Sequence, residues 1–150
     1  MSTQDYLLGV DQSEFDRLQF QHGVWRTNTN EFFDRLGVGK GWNCLDVGAG
    51  PGFVSLDLRE RVGENGSVTA LEPSTMFLDW FAEQVKQKEW KNVHLINGTA
   101  EESNLVPQQY DLIYARWVIA FVPHPEKFFT QLLSALKPGG IIAFQDYYYE

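Results

Sequence analysis

The chain is 150 residues long, the size of one ordinary domain, so one core rather than a string of modules is expected over 1–150. Twelve Lys and Arg against twenty Asp and Glu leave a net charge of −8 and a pI near 4.8, a surface that repels a phosphate backbone and argues against nucleic acid as a partner. No apolar run approaches the roughly 20 residues of a membrane span, the lone Cys44 has no internal partner, and the polar start resembles no signal peptide, so a cytoplasmic protein without a membrane partner is expected.

From Ser13 onward Phe15, Leu18, His22, Trp25, Phe32 and Leu36 recur at three, four or seven residues, the stripe of an amphipathic helical region with a break near Gly23. Residues 1–40 are therefore expected to form a helical lid over a core spanning 41–150. Residues 42–47 (WNCLDV) read as a short buried strand that runs into GAGPG, and residues 53–61 read as a helix closed by Gly63 and Gly66. The pattern repeats with a strand at 67–71 (SVTAL) and a helix opened by Pro73 and Ser74, whose Phe77, Phe81 and Val85 face inward. Further strands are expected at 93–96, 110–115 and 140–145. Between the last two, Pro125 starts a helix with Phe128, Phe129, Leu132, Leu133 and Leu136 on its apolar face. Apolar strands separated by helical crossovers imply an α/β fold with a Rossmann-like, doubly wound, mostly parallel sheet. The aromatic content of 15% reads as a core and lid rich in Phe, Trp and Tyr rather than as a hydrophobic substrate pocket.

In such sheets ligands bind beyond the carboxyl ends of the strands, near the point where strand order reverses. That rim would carry Asp46 and the loop Gly48-Ala49-Gly50-Pro51-Gly52, then Glu72, residues 98–101, Arg116 with Trp117, and Asp146. The loop reads G-x-G-x-G, and Phe53 stands where the dinucleotide fingerprint has its third glycine, so a ligand without phosphates is favoured. No Gly-Lys-Ser/Thr follows, which removes the P-loop alternative. Glu72 lies 22 residues after Gly50 at a strand end, where a carboxylate accepts hydrogen bonds from both hydroxyls of a ribose. An adenosine-containing ligand fits that placement. The competing interpretation is a tight turn beside an exposed strand-end carboxylate.

The segments CLDVGAGPGF (44–53), TALEPS (69–74), INGTAEE (96–102), YDLIYARWVIAFVPHPEKFF (110–129) and LKPGGIIAFQDY (136–147) resemble the successive motifs of class I S-adenosylmethionine-dependent methyltransferases. YLLG (6–9) with the helical FDRLQFQHGVW (15–25) is similar to the N-terminal lid of small-molecule-type members that carry the general methyltransferase domain. The resemblance implies S-adenosyl-L-methionine as cofactor and a small-molecule methyl acceptor. It implies that Asp46, Gly48, Ala49 and Gly50 meet the methionine end of the cofactor, with Gly52 permitting a close approach of the loop. Glu72 would hold the ribose, with Pro73 and Ser74 beside it, and either Met76 or another apolar neighbour would pack on adenine. Relatives commonly carry an acidic residue where Thr99 stands, so the adenine amino group would be met by Thr99, by the Ala100 backbone or by Glu101. Arg116 would approach the methionine carboxylate or the substrate, the competing interpretation being an arginine facing solvent.

The implied reaction is direct displacement at the methyl group, for which the protein supplies alignment and exclusion of water, and a base only if the acceptor must lose a proton. Asp146 and Tyr147 at the end of the fifth strand are positional candidates for a base or acceptor contact. His124 between two prolines reads as a helix-cap residue, and Cys44 as packing. Two other functions remain open on sequence grounds: an NAD-dependent oxidoreductase with a variant glycine loop, and a non-catalytic cofactor-binding module. The resemblance also implies two more strands after the fifth, so the sequence looks like the N-terminal part of a longer protein. A chain ending at Glu150 would leave an edge strand open to self-association.

Overall fold

The computed structural model describes residues 10–146. Helix α1 (Val10–Leu36) precedes strand β1 (Asn43–Val47), helix α2 (Phe53–Val62), strand β2 (Ser67–Glu72), helix α3 (Thr75–Gln87) and strand β3 (Val93–Asn97). Strand β4 (Tyr110–Arg116) is followed by a short 3-10 turn at Ile119–Phe121, helix α4 (Pro125–Ala135) and strand β5 (Leu136–Gln145). The five strands are all parallel, in the order β3-β2-β1-β4-β5. Strand order reverses between β1 and β4, where Val47 lies opposite Ala115, and a crevice opens beyond their carboxyl ends.

Alternation along the strands divides the core between the two faces of the sheet. Cys44, Leu112 and Tyr114 pack with Phe33 of α1 and with Val54, Leu58 and Val62 of α2. Leu45, Val47, Ile113 and Ala115 point the other way and meet Phe128, Leu132 and Ala135 of α4. Ala70 and Val93 pack with Phe81 of α3. Both faces are thus covered, the arrangement that lets parallel strands read as continuous apolar runs. Burial also pushes the Cys44 thiol up to about 12, which leaves it a packing group.

Three sequence expectations change. No break occurs near Gly23: α1 continues through it for 27 residues, because the face it lays on the core carries Phe15, His22, Thr29 and Phe33 on both sides of the glycine. Gly23 itself is exposed, and a Cβ placed there would meet nothing within 4 Å. Leu133, assigned to the apolar face of α4, is 62% exposed, whereas Leu132 is fully buried. Strand β5 begins at Leu136 rather than at Gly140, with an irregularity in its pairing to β4 between Tyr110 and Leu112. The segment 6–9 lies outside the described residues. Among the described residues, no helix is long and apolar enough to cross a membrane.

Candidate functional site

The loop after β1 is folded down onto β2 by its own amides. Gly48 and Ala49 donate to the Leu71 carbonyl at 2.8 and 3.1 Å, Gly50 donates to Glu72 Oε1 at 2.8 Å, and Gly52 donates to the Ala49 carbonyl at 3.0 Å. These amides are therefore spent inside the protein, unlike those of a phosphate-cradling loop. The glycines serve different purposes. A Cβ on Gly48 would sit 2.5 Å from Val118 Cγ2, and one on Gly52 would sit 2.6 Å from the Phe81 ring, whereas one on Gly50 would meet nothing within 4 Å. The close approach permitted by Gly52 is thus made to α3, and Gly50 is the loop position facing open space. Gly52→Ala, at φ +92 and against an aromatic ring, is expected to cost roughly 3 kcal/mol of stability by urea denaturation. Gly50→Ala, at φ +55 without a clash, should cost only ~1 kcal/mol; equal losses would refute this division of roles.

Glu72 ends β2 with both carboxylate oxygens engaged, Oε1 by Gly50 N–H and Oε2 by Ser74 N–H at 2.6 Å. Burial pushes its carboxyl upward in pKa, and the two backbone bonds oppose that shift. Each oxygen retains acceptor capacity for a ligand hydroxyl. Ser74 then caps α3, its Oγ accepting from Phe77 N–H at 3.4 Å.

Beyond these strand ends lies a cavity of about 480 Å³, within the ordinary range for a small-molecule site. Gly48, Gly50, Glu72 and Pro73 form one side of it, Thr99, Ala100 and Glu101 another, and Arg116 a third. A smaller cavity of about 90 Å³ is walled by Asp46, Ala49, Pro51 and Phe53, and it shares Gly48, Gly50 and Arg116 with the first. Asp46 is 3% exposed and accepts a 2.7 Å hydrogen bond from Ser55 Oγ. Burial pushes its carboxyl up to about 7, opposed by the Ser55 bond and the Arg116 charge. Thr99 Oγ1 is buried without a hydrogen-bonding partner, a hydroxyl able to donate to or accept from a group the protein does not itself supply.

Arg116 is half-buried rather than facing solvent. Asp146 is exposed and is not among the residues lining either cavity, and Tyr147 lies outside the described residues. Met76 is absent from both walls, and Phe77 lines the larger cavity instead. His124 occupies the N-cap position of α4, its carbonyl accepting from Phe128 N–H.

Sequence reasoning missed the contribution of α1, which brings Arg17, Leu18 and Gln21 to the larger cavity. It also missed Asp57, buried on α2 with Oδ2 at 3.1 Å from His22 Nε2. Burial opposes the charge of Asp57, yet His22 and Arg26 together hold its carboxyl below the usual range. The signal was present in the pattern, as two ionisable residues on faces that must be buried. Nor is the aromatic content confined to core and lid: Phe77, Trp117, Phe121 and Phe128 all line the larger cavity. Among the described residues, no group of three or more His, Cys, Asp or Glu is placed to hold a metal ion.

Residues 39–150 match the model of a family described as a methyltransferase domain. The chain belongs to the methyltransferase-domain family. Its core has the Rossmann-like methyltransferase fold, with the glycine loop at the strand-order reversal. A demethylmenaquinone methyltransferase from Listeria welshimeri is 33% identical over 122 residues, covering 81% of this methyltransferase-domain chain and 50% of the relative. This chain thus spans about half the length of the curated relatives it matches. Among solved structures, an S-adenosylmethionine-dependent methyltransferase from Aquifex aeolicus is 27% identical with a TM-score of 0.71, covering 77% of this chain and 61% of that one. A phosphoethanolamine N-methyltransferase 2 from Haemonchus contortus, in complex with phosphomonomethylethanolamine and S-adenosylhomocysteine, has a TM-score of 0.74 at 22% identity. It covers 96% of this chain and 35% of its own, and shares the fold.

Proposed function

We propose that this chain provides the cofactor site of an S-adenosylmethionine-dependent methyltransferase that methylates a small apolar acceptor. The observation that carries the proposal is the Glu72 carboxylate, pinned by Gly50 and Ser74 at the wall of a cavity whose other walls are glycine backbone and mainly apolar side chains. A carboxylate so held is pre-aligned for a ribose diol, and preorganisation lowers the entropic cost of binding. The donor set fits the rest of the cofactor. Thr99 Oγ1, at the wall of the larger cavity, lacks a partner and is available to an adenine, and Arg116 with Asp46 offers opposite charges at the smaller cavity for an amino-acid end. When bound, S-adenosylmethionine supplies a methyl group on a sulfonium for direct displacement. The residues of this chain bind, orient and exclude water.

The acceptor end is argued from the stretch after β4. Trp117, Val118, Phe121, Val122 and Pro123 line the larger cavity, and Phe121 is 82% exposed, an apolar rim to the opening. An exposed ring at a cavity mouth favours an acceptor with an apolar or aromatic ring system. The names of the curated relatives point in the same direction. The composition supports a cytoplasmic setting.

Calorimetry with S-adenosylhomocysteine is the direct test, with one-to-one binding in the micromolar range expected. Absence of binding by a folded sample would overturn the proposal, and so would quenching of NADH fluorescence in its place. Release of S-adenosylhomocysteine from S-adenosylmethionine should then occur with apolar ring acceptors and not with charged, highly polar ones.

A further inference from the structure

Arg116 is held by α1 through two residues separated by seven positions, and thus on one face of that helix. One arm, Nη1, donates to Thr29 Oγ1 at 3.1 Å. Thr29 Oγ1 in turn donates to Gln145 Oε1 at 2.8 Å, and the same oxygen accepts from Tyr114 Oη at 2.6 Å. The other arm, Nη2, lies 3.2 Å from His22 Nδ1. A guanidinium has donors only, so Nδ1 must be the acceptor and the ring proton sits on Nε2, which lies 3.1 Å from Asp57 Oδ2 as a close polar contact rather than an aligned hydrogen bond. Arg26 closes this end, its Nη2 at 3.0 Å from Asp57 Oδ1. The His22 ring is stacked on Phe53 with centroids 5.6 Å apart and planes 16° from parallel.

The arrangement fixes more than the attachment of a helix. The guanidinium lies 4.5 Å over the Trp117 ring, and Trp117 has a left-handed backbone at φ +57, uncommon for a bulky residue and associated with functional sites. Arg116 is the cationic residue common to the walls of both cavities. A planar cation held on two arms has a defined direction, the requirement for carboxylate recognition.

We infer that His22, oriented by Asp57, is a positioning residue that aims the Arg116 guanidinium at the carboxylate of the ligand's amino-acid end. The inference rests on the methyltransferase reading above. It makes α1 part of the binding machinery: the helix face that packs on the core also holds the cation.

Two ligands separate this role from a purely structural one. S-adenosylhomocysteine has the amino-acid end, and 5′-methylthioadenosine has the same adenosine and thioether without it. His22→Phe keeps a ring against Phe53 and removes both nitrogens. It should weaken S-adenosylhomocysteine binding about tenfold or more while leaving methylthioadenosine within about twofold, as should Arg116→Met. His22→Asn, whose side-chain oxygen falls near the former Nδ1, should regain most of the lost affinity. Equal losses for both ligands would reduce His22 to a fold-stabilising residue, and an unchanged ratio of the two affinities would likewise overturn the inference. If the unsubstituted protein binds neither ligand, the methyltransferase reading fails and this inference with it. If it binds both and the His22 variants do not discriminate, only the inference fails.

Discussion

Glu72→Ala is expected to lose roughly 100-fold or more in affinity for S-adenosylhomocysteine, because two interactions vanish together. The first is acceptance of the ribose hydroxyls by a carboxylate; hydrogen bonds to a charged group contribute ~1.5–3 kcal/mol each. The second is the tie from Oε1 to Gly50 N–H and from Oε2 to Ser74 N–H, which sets the distance between the glycine loop and the start of α3. Glu72→Gln separates the two contributions. It keeps one acceptor oxygen but turns an amide NH₂ toward one of the two backbone N–H groups, so it should also weaken binding and lower the melting temperature. Titration of both variants by calorimetry decides the matter. A dissociation constant within threefold of the unsubstituted protein for Glu72→Ala would show that the pinned carboxylate takes no part in binding.

Asp46→Asn should stabilise the protein, increasingly so as pH rises. Burial pushes the Asp46 carboxyl up to about 7 in the folded chain, against the Ser55 hydrogen bond and the Arg116 charge. The unfolded chain has the ordinary value near 4. A carboxyl with a raised folded pKa contributes stability that is complete below the unfolded value and is lost as pH rises through the folded one. The window therefore runs from about pH 4 to just above pH 7. Between pH 5 and pH 8.5 the parent protein should lose ~3 kcal/mol through this one group, while the variant, which does not titrate there, keeps it. Urea denaturation of both proteins at the two pH values measures the difference, and parallel pH dependences would contradict the assignment.

The parts of the site legible in sequence are those set by local chain geometry. Gly48, Gly50 and Gly52 have positive φ values of +69, +55 and +92, conformations that favour glycine, so the turn announces itself by composition. Glu72 is legible because a parallel strand of known length places its last residue on the ligand rim. The role of Gly52 was less legible. Its clash partner, Phe81, is almost thirty residues away on α3, and only packing brings the two together. The reach of α1 was the largest omission. An amphipathic stripe says that a helix lies on something but not on what, and the partners of His22 and Thr29 come from α2, β4 and β5.

What the sequence by itself determined is the α/β alternation, the glycine loop after the first strand, and the acidic residue ending the second. Each depends on periodicity, φ preference or capping, which act over a few residues. What only the tertiary structure decided is the set of contacts made across the sheet. The stripe on α1 becomes a single helix because its buried face runs unbroken past Gly23, a matter of packing that local propensity does not contain. The same packing brings Arg116, His22 and Asp57 together from three elements, with Arg116 at the wall of both cavities and His22 and Asp57 behind it. Charges buried together must find partners, and those partners are set by the fold rather than by spacing along the chain.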